Sequence, residues 1–214
     1  MLNRTSEYLD ALRKRFPRLP LFSVRPDHYQ AGRIQGRQFK LLLPHGGEVF
    51  YIQGPLWVSA AEKRYQGVQE ELRGSPIDLV TFRSDWTESG GLAATHAWIQ
   101  TVKSGEWSRC LVGAQNDAMA IGARQALLRT AEHQQEPRIA AIRITGCDGL
   151  PSHGRRWVAE GFLAATVTVP PTAGRALREL VSSWDSGEPA PPEIVLGVSS
   201  FPALEQLERA AQGI

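Results

Sequence analysis

The sequence predicts an α/β protein built on a doubly wound, largely parallel sheet. Two observations carry this. Short apolar runs of strand length alternate with stretches of helical periodicity along the chain, and such alternation packs as a parallel sheet with right-handed crossovers. The clearest unit is residues 110–128. There, 110–114 is an apolar run of buried-strand length, Gln115-Asn116-Asp117 is a polar break, and Met119, Ile121, Ala123, Ala126 and Leu127 recur at near-helical spacing. Asn or Asp at such a break caps a helix by accepting a backbone N–H of its first turn. The corner thus sits where the carboxyl end of a strand meets the amino end of a helix. In open α/β sheets that edge is where ligands bind.

The other elements follow in order. Residues 6–16 place Tyr8, Leu9, Leu12 and Phe16 on one helical face, and Pro17 and Pro20 stop the helix. Residues 19–24 are a short strand. Residues 29–43 are a helix ended by Pro44 and Gly46-Gly47, and 49–53 are a buried strand. A loop holding Trp57 leads to a helix over 59–72, a strand over 77–82, a polar exit over 83–86 and a helix over 88–102. Beyond the opening unit come a strand over 139–145, a tight corner over 146–149 and a short helix over 154–160. Residues 163–169 are rich in β-branched side chains and form a strand that Pro170-Pro171 breaks. A helix over 172–184, a strand over 194–198 and a helix over 202–211 close the chain.

The composition narrows the function. With 214 residues, 42% hydrophobic and 21% charged, the chain suits one or two ordinary globular domains. A net charge of +2 offers no electrostatic case for nucleic acid. Cys110 and Cys147 make no metal or redox spacing, each lying in an apolar strand-like run. The five histidines form no paired ligand motif, so neither a metal nor another cofactor is expected. Gly32 to Gly36 lies inside a helical pattern rather than after a strand, and no nucleophile elbow or phosphate loop occurs. No run is long enough to span a bilayer, and residues 1–8 lack the apolar core of a secretory signal.

The candidate site residues cluster after strands. Trp57 follows 49–53, Trp86 follows 77–82, Asn116 and Asp117 follow 110–114, and Asp148 follows 139–145. Arg64 stands about one turn into its helix and reaches the same rim. Each has an ordinary reading: Asn116 as a cap, Arg64 as a solvated charge, Trp86 as packing, Asp148 as a turn residue, Trp57 as a plug beneath its loop. If the strands are parallel neighbours, these side chains converge. A hydroxyl-rich ligand wants such a set, because carboxylates and amides pair with hydroxyls, Arg donates a planar fork and an aromatic face packs on C–H groups.

The segment Gln115-Asn-Asp-Ala-Met-Ala-Ile-Gly-Ala123 resembles the Q-N-D-x-M-A-x-G-A segment of sugar-binding proteins of the type I periplasmic-binding-protein superfamily, which also includes the ligand domains of lac-repressor-like regulators. The order of further motifs agrees from about Pro20 onward. Ser59 to Gly67 is similar to the family's S-x-x-x-x-R-x-x-G segment, which implies that Arg64 contacts sugar. Ser84-Asp-Trp86 resembles the family's ring-packing aromatic, Asn116 its amide contact and Asp148 its carboxylate contact. Residues 163–169 resemble the strand L-x-A-T-x-x-Q that leads back to the hinge, with Val169 in place of the terminal Gln.

The resemblance implies a type I fold with ligand clamped between two lobes. Residues 27–169 and 191–214 would form the C-terminal ligand-binding lobe, and 1–26 with 170–190 a remnant of the N-terminal lobe. It further implies a non-enzymatic sugar receptor of an ABC-type transporter, periplasmic in family setting, with a permease as partner. The alternatives are the effector domain of a regulator and a degenerate fragment that binds nothing. With most of one lobe missing, the apolar residues Tyr8, Leu9, Leu12, Phe16 and 21–24 are expected to lack cover and to drive association, as a homodimer or an aggregate.

Overall fold

The computed structural model describes residues 8–102 and 107–212. Ser6, the expected helix start, and the Tyr8 side chain lie outside the described residues. In chain order the elements are α1 (Tyr8–Arg15), β1 (Ser23–Pro26), α2 (His28–Leu42), β2 (Gly47–Gln53), α3 (Ser59–Leu72), β3 (Ile77–Arg83), α4 (Glu88–Ile99), a 3-10 turn at Trp107–Arg109, β4 (Cys110–Ala114), α5 (Asp117–Gln134), α6 (Pro137–Ala140), β5 (Arg143–Asp148), α7 (Gly154–Ala159), β6 (Ala165–Thr168), α8 (Thr172–Ser186), β7 (Glu193–Leu196), β8 (Ser199–Phe201) and α9 (Leu204–Gln212). The chain divides into two compact units. Residues up to 27 join 170–198, and residues 28–169 join those from 199 onward.

The larger unit is a six-stranded sheet in the order β3-β2-β4-β5-β6-β8. Every pairing is parallel except β6 with β8. Side chains alternate along a strand, so each strand feeds two cores. Phe50, Ile52, Val112, Ala114 and Ile144 pack with Trp98 and Ile99 of α4 and Met119, Ala120 and Leu127 of α5. Val49, Tyr51, Leu111 and Ala165 pack with Phe39 and Leu42 of α2, Val68 and Leu72 of α3 and Leu207 of α9. Helices therefore cover both faces, and the expected doubly wound α/β class holds.

Several boundaries moved for identifiable reasons. Ile139, expected to open a strand, lies in α6. Pro137 stands at the first helical position, where its missing N–H costs nothing, and the Glu136 side chain accepts from Arg138 N at 3.2 Å. The following strand starts at Arg143 and runs through Asp148, because Gly146, Cys147 and Asp148 pair with Thr166, Val167 and Thr168. The expected corner thus begins only at Gly149. Helix α5 continues to Gln134 and ends at Gln135, whose left-handed backbone donates back to Ala131 O and Glu132 O. Strand β8, three residues long, was not anticipated.

The smaller unit holds a two-stranded parallel sheet, β1 with β7. Residues 191–198, grouped by the sequence with the ligand lobe, belong here, since Ser23 to Pro26 pair with Glu193 to Leu196. Its core is Phe22, Val24 and Ile194, with Ala176 of α8 against them. The expectation of uncovered residues fails at three positions: Leu9, Phe22 and Val24 are buried. Phe16 is exposed as expected, and further exposed apolar surface lies on Leu19 and on α8, where Leu177 and Trp184 are 63% and 84% exposed. That removes the stated ground for association through the buried residues.

Helices α2 and α3 meet backbone to backbone. A Cβ at Gly32 would lie 2.8 Å from the Arg64 carbonyl carbon and closer still to its oxygen. Across the same seam Glu71 binds Lys40 at 2.6 Å, Arg33 at 3.2 Å and Arg37 at 3.3 Å. Alanine is normally favoured over glycine within a helix by about 1 kcal/mol. Here the obstacle is main chain, which cannot swing aside, and overpacking costs about 1–3 kcal/mol. Gly32→Ala should therefore lower the urea unfolding free energy. A variant as stable as the natural chain would show that the helices do not touch there.

Candidate functional site

The sheet order reverses between β2 and β4. The chain leaves β2 for β3 on one side and returns to β4 on the other. Outside the carboxyl ends of strands at such a switch point lies the usual ligand crevice of an open α/β sheet. Residues after β2, β3, β4 and β5 reach this edge, and α3 borders it.

Arg64 is the centre of the arrangement, although its residue is only 5% exposed. It projects from α3, whose path is set by the Gly32 contact. Its Nη1 donates to the Gln115 carbonyl and its Nη2 to Asp148 Oδ1 at 3.5 Å. Its Cζ lies 5.8 Å from the Trp86 ring centroid, within cation–π range. The Nε is buried and lacks a hydrogen-bond partner. The solvated-charge reading of Arg64 is therefore excluded.

Trp86 has a left-handed backbone, φ 70°, which is uncommon for a large residue. Its loop is built to hold it. Ser84 N donates to Gln53 O at 2.8 Å, and Asp85 Oδ1 accepts from Thr87 N at 3.1 Å and Thr87 Oγ1 at 2.6 Å. Thr87 in turn caps α4 by accepting from Gly90 N. The Trp86 carbonyl accepts from Asn116 Nδ2 at 2.8 Å.

Asn116 is also the α5 cap, accepting from Met119 N at 2.8 Å. The cap reading and the site placement thus both apply to it. Asp148, with φ 123°, is a second left-handed non-glycine at this edge. Its side chain is 43% exposed. Burial of the carboxyl raises its pKa, and the Arg64 charge opposes that rise.

Two candidates stand apart. Asp117 is buried, and its carboxylate accepts from Gly149 N and Thr166 Oγ1, each at 2.7 Å. It braces the loop behind Asp148 with both oxygens engaged. Trp57 is 86% exposed in the loop after β2, so it is not a hydrophobic plug. Arg64, Trp86, Asn116 and Asp148 are brought together; Asp117 lies beneath them.

Some neighbours of these residues escaped the sequence. Gln115 is wholly buried at the switch point, and only its place in the Q-N-D segment marked it. Arg155 of α7 donates to Thr168 Oγ1 at 3.4 Å and lies 5.3 Å over the Phe201 ring. No motif pointed to it. Val169 N donates to the Asp148 main-chain carbonyl at 2.9 Å. No cluster of metal-ligating residues occurs among the described residues.

A parallel lobe carrying a buried cation, a carboxylate and an aromatic ring at its switch point has the construction of a type I periplasmic-binding-protein lobe. The family profile described as a periplasmic binding protein domain matches residues 17–182, and the chain belongs to that family. It is 28% identical over 149 residues to the ribose import binding protein RbsB of Salmonella typhimurium, covering 69% of this chain. The protein of Escherichia coli K12 matches to the same extent. The chain spans 46% of the length of these relatives.

Among solved structures, it resembles a periplasmic solute binding protein of Actinobacillus succinogenes with bound D-allose, at TM-score 0.76 and 19% identity over 97% of this chain and 68% of that one. A galactofuranose binding protein gives TM-score 0.75 and 23% identity over 97% and 69%. A solute binding protein of Bacillus halodurans with bound myo-inositol gives 0.74 and 19% over 99% and 68%. At these identities the likeness is one of fold.

Burial pushes the Asp117 carboxyl up to about 6, while the Thr166 and Gly149 hydrogen bonds oppose the rise. An unfolded Asp titrates near 4. A raised folded value favours the protonated form, so this contribution is complete below about pH 4 and is lost as pH rises through about 6. Unfolding free energy measured across pH 4–7 should fall by on the order of 1–3 kcal/mol from this group. Asp117→Asn should flatten that slope; an unchanged slope would assign the titration to other groups.

Proposed function

We propose that this chain binds a sugar-like polyol at the carboxyl edge of its six-stranded sheet, without catalysis. The observation that carries the proposal is the Arg64 guanidinium, buried yet only partly paired, lying 3.5 Å from Asp148 and beneath the Trp86 ring. Such a set offers a donor fork, an acceptor pair with one side open to solvent, and an aromatic face for C–H groups. It discriminates hydroxyl stereochemistry, because a buried polar group left unmatched costs about 1–3 kcal/mol. Cys147, next to Asp148, is buried, and its thiol is pushed up to about 12 by burial. A thiol so held is inert.

The relatives support the reading. The Salmonella and Escherichia proteins are ribose import binding proteins, and solved neighbours hold D-allose or myo-inositol. The whole assignment is a solute-binding component of an ABC-type sugar transporter, working in the periplasm with a permease partner. Val169 stands where the family's Gln would be, so ribose itself is a weaker match than a ligand needing one polar contact fewer. No helix among the described residues is long and apolar enough to cross a membrane.

Calorimetry against D-ribose, D-allose, D-galactose, L-arabinose, D-fructose and myo-inositol tests the proposal. At least one should bind, and Arg64→Gln and Trp86→Ala should each weaken that ligand about tenfold or more, the scale of one buried polar contact or ring face. A folded sample that gives no heat with any of them would refute it.

A further inference from the structure

Gln115 makes four hydrogen bonds from one buried position, three of them to the main chain of other segments. Its backbone N donates to Ile52 O at 3.0 Å, which extends the β2–β4 pairing beyond the ladder. Its Oε1 accepts from Gly54 N at 2.9 Å, and its Nε2 donates to Ala61 O at 2.9 Å. Its own carbonyl accepts from Arg64 Nη1. One residue thus joins the exit of β2, the first turn of α3 and the guanidinium. Ala61 and Arg64 are three residues apart, and that spacing shares a helix face. Fixing Ala61 O therefore fixes the origin of the Arg64 side chain, while the Gln115 carbonyl fixes its far end.

The second arm runs through Gly54. A Cβ there would lie 2.5 Å from Trp86 Cη2 and closer to two more ring atoms. The Trp86 ring thus rests directly on the Gly54 backbone, whose N–H is held by Gln115. Consecutive residues grip one tryptophan, Gln115 through the floor under its ring and Asn116 through its carbonyl.

We infer that Gln115 is a positioning residue for ligand binding: it holds Arg64 and, by way of Gly54, the Trp86 ring in binding geometry without touching the ligand. The inference rests on the site proposed above. A glutamine is required because the position needs an acceptor and a donor on one planar head. Leucine of similar size leaves the Gly54 N–H unpaired. Glutamate keeps that acceptor but turns a second one toward Ala61 O. Asparagine is a methylene too short to span both.

The test uses Gln115→Leu and the near-isosteric Gln115→Glu in the full chain. Two readouts are taken: affinity for the tightest sugar of the panel, and the indole N–H resonance of Trp86 in the free protein, assigned with Trp86→Phe. Trp98, whose indole donates to Glu48 at 2.8 Å, is the internal control. Both variants should shift the Trp86 resonance, leave that of Trp98 in place and lose about tenfold or more in affinity. In an Arg64→Gln background, Gln115→Glu should cost less than it does in the natural chain, because only the Trp86 arm is left to lose. A folded variant with an unmoved Trp86 resonance, or with natural affinity, would overturn the inference. If the natural chain binds none of the sugars, the sugar reading fails, and the Trp86 resonance still decides the role of Gln115.

Discussion

Burial of the Arg64 charge is the constraint around which the larger unit is arranged. A guanidinium removed from water needs partners, and unpaired buried charge is costly. The protein supplies a carbonyl from Gln115, a carboxylate at 3.5 Å and the face of Trp86. These come from three separate chain segments, so the charge can be met only when β3, β4 and β5 all end at one edge. The helix that carries Arg64 must also approach α2 closely, and Gly32 and Gly67 permit it. The pairing stops short of completeness, with one long contact and Nε without a partner.

Backbone strain concentrates at the same place. Trp86 and Asp148 both have positive φ without being glycine, and such conformations persist only where the surroundings over-determine them. At Trp86 the over-determination is the Asp85–Thr87 turn and the Asn116 amide. At Asp148 it is the ladder with Thr168, the Val169 N–H on its carbonyl and the grip of Asp117 on Gly149. Asn116 and Asp117 therefore hold the backbone around Trp86 and Asp148. Asn116 combines this with capping α5, and Asp117 works wholly from beneath. Gln135, also at positive φ, is an ordinary helix terminator.

The smaller unit obeys a different balance. Two paired strands alone are marginal in water and need helical cover. Helix α8 supplies it through Ala176, while α1 contributes Leu9 to a hollow of about 450 Å³ shared with Phe22, Leu177 and Leu180. Arg13 ties the entry of β1 to the approach of β7, donating to Leu21 O at 2.8 Å and Pro192 O at 2.6 Å. Phe22 and Val24, judged bare from sequence, became core residues of this unit, because β7 arrives from far along the chain and brings Ile194 against them.

Local chemistry made most elements legible in advance. Apolar runs marked β2 and β4, Pro44 and the following glycines marked the end of α2, and the polar corner before α5 declared its cap. The resemblance named Arg64, Trp86, Asn116 and Asp148 as a set, and the segments that carry them do meet at one edge. Where neighbours decided the outcome, the sequence was silent or misleading. Strand β5 extends to Asp148 only because β6 lies alongside, and β8 forms only because β6 offers it an edge. The burial of Arg64, the sunken position of Asp117 and the reach of Gln115 across three segments were decided by tertiary structure. A side chain's hydrogen-bond partners depend on which distant strands end beside it, and that information is carried by the packed sheet rather than by any window of residues.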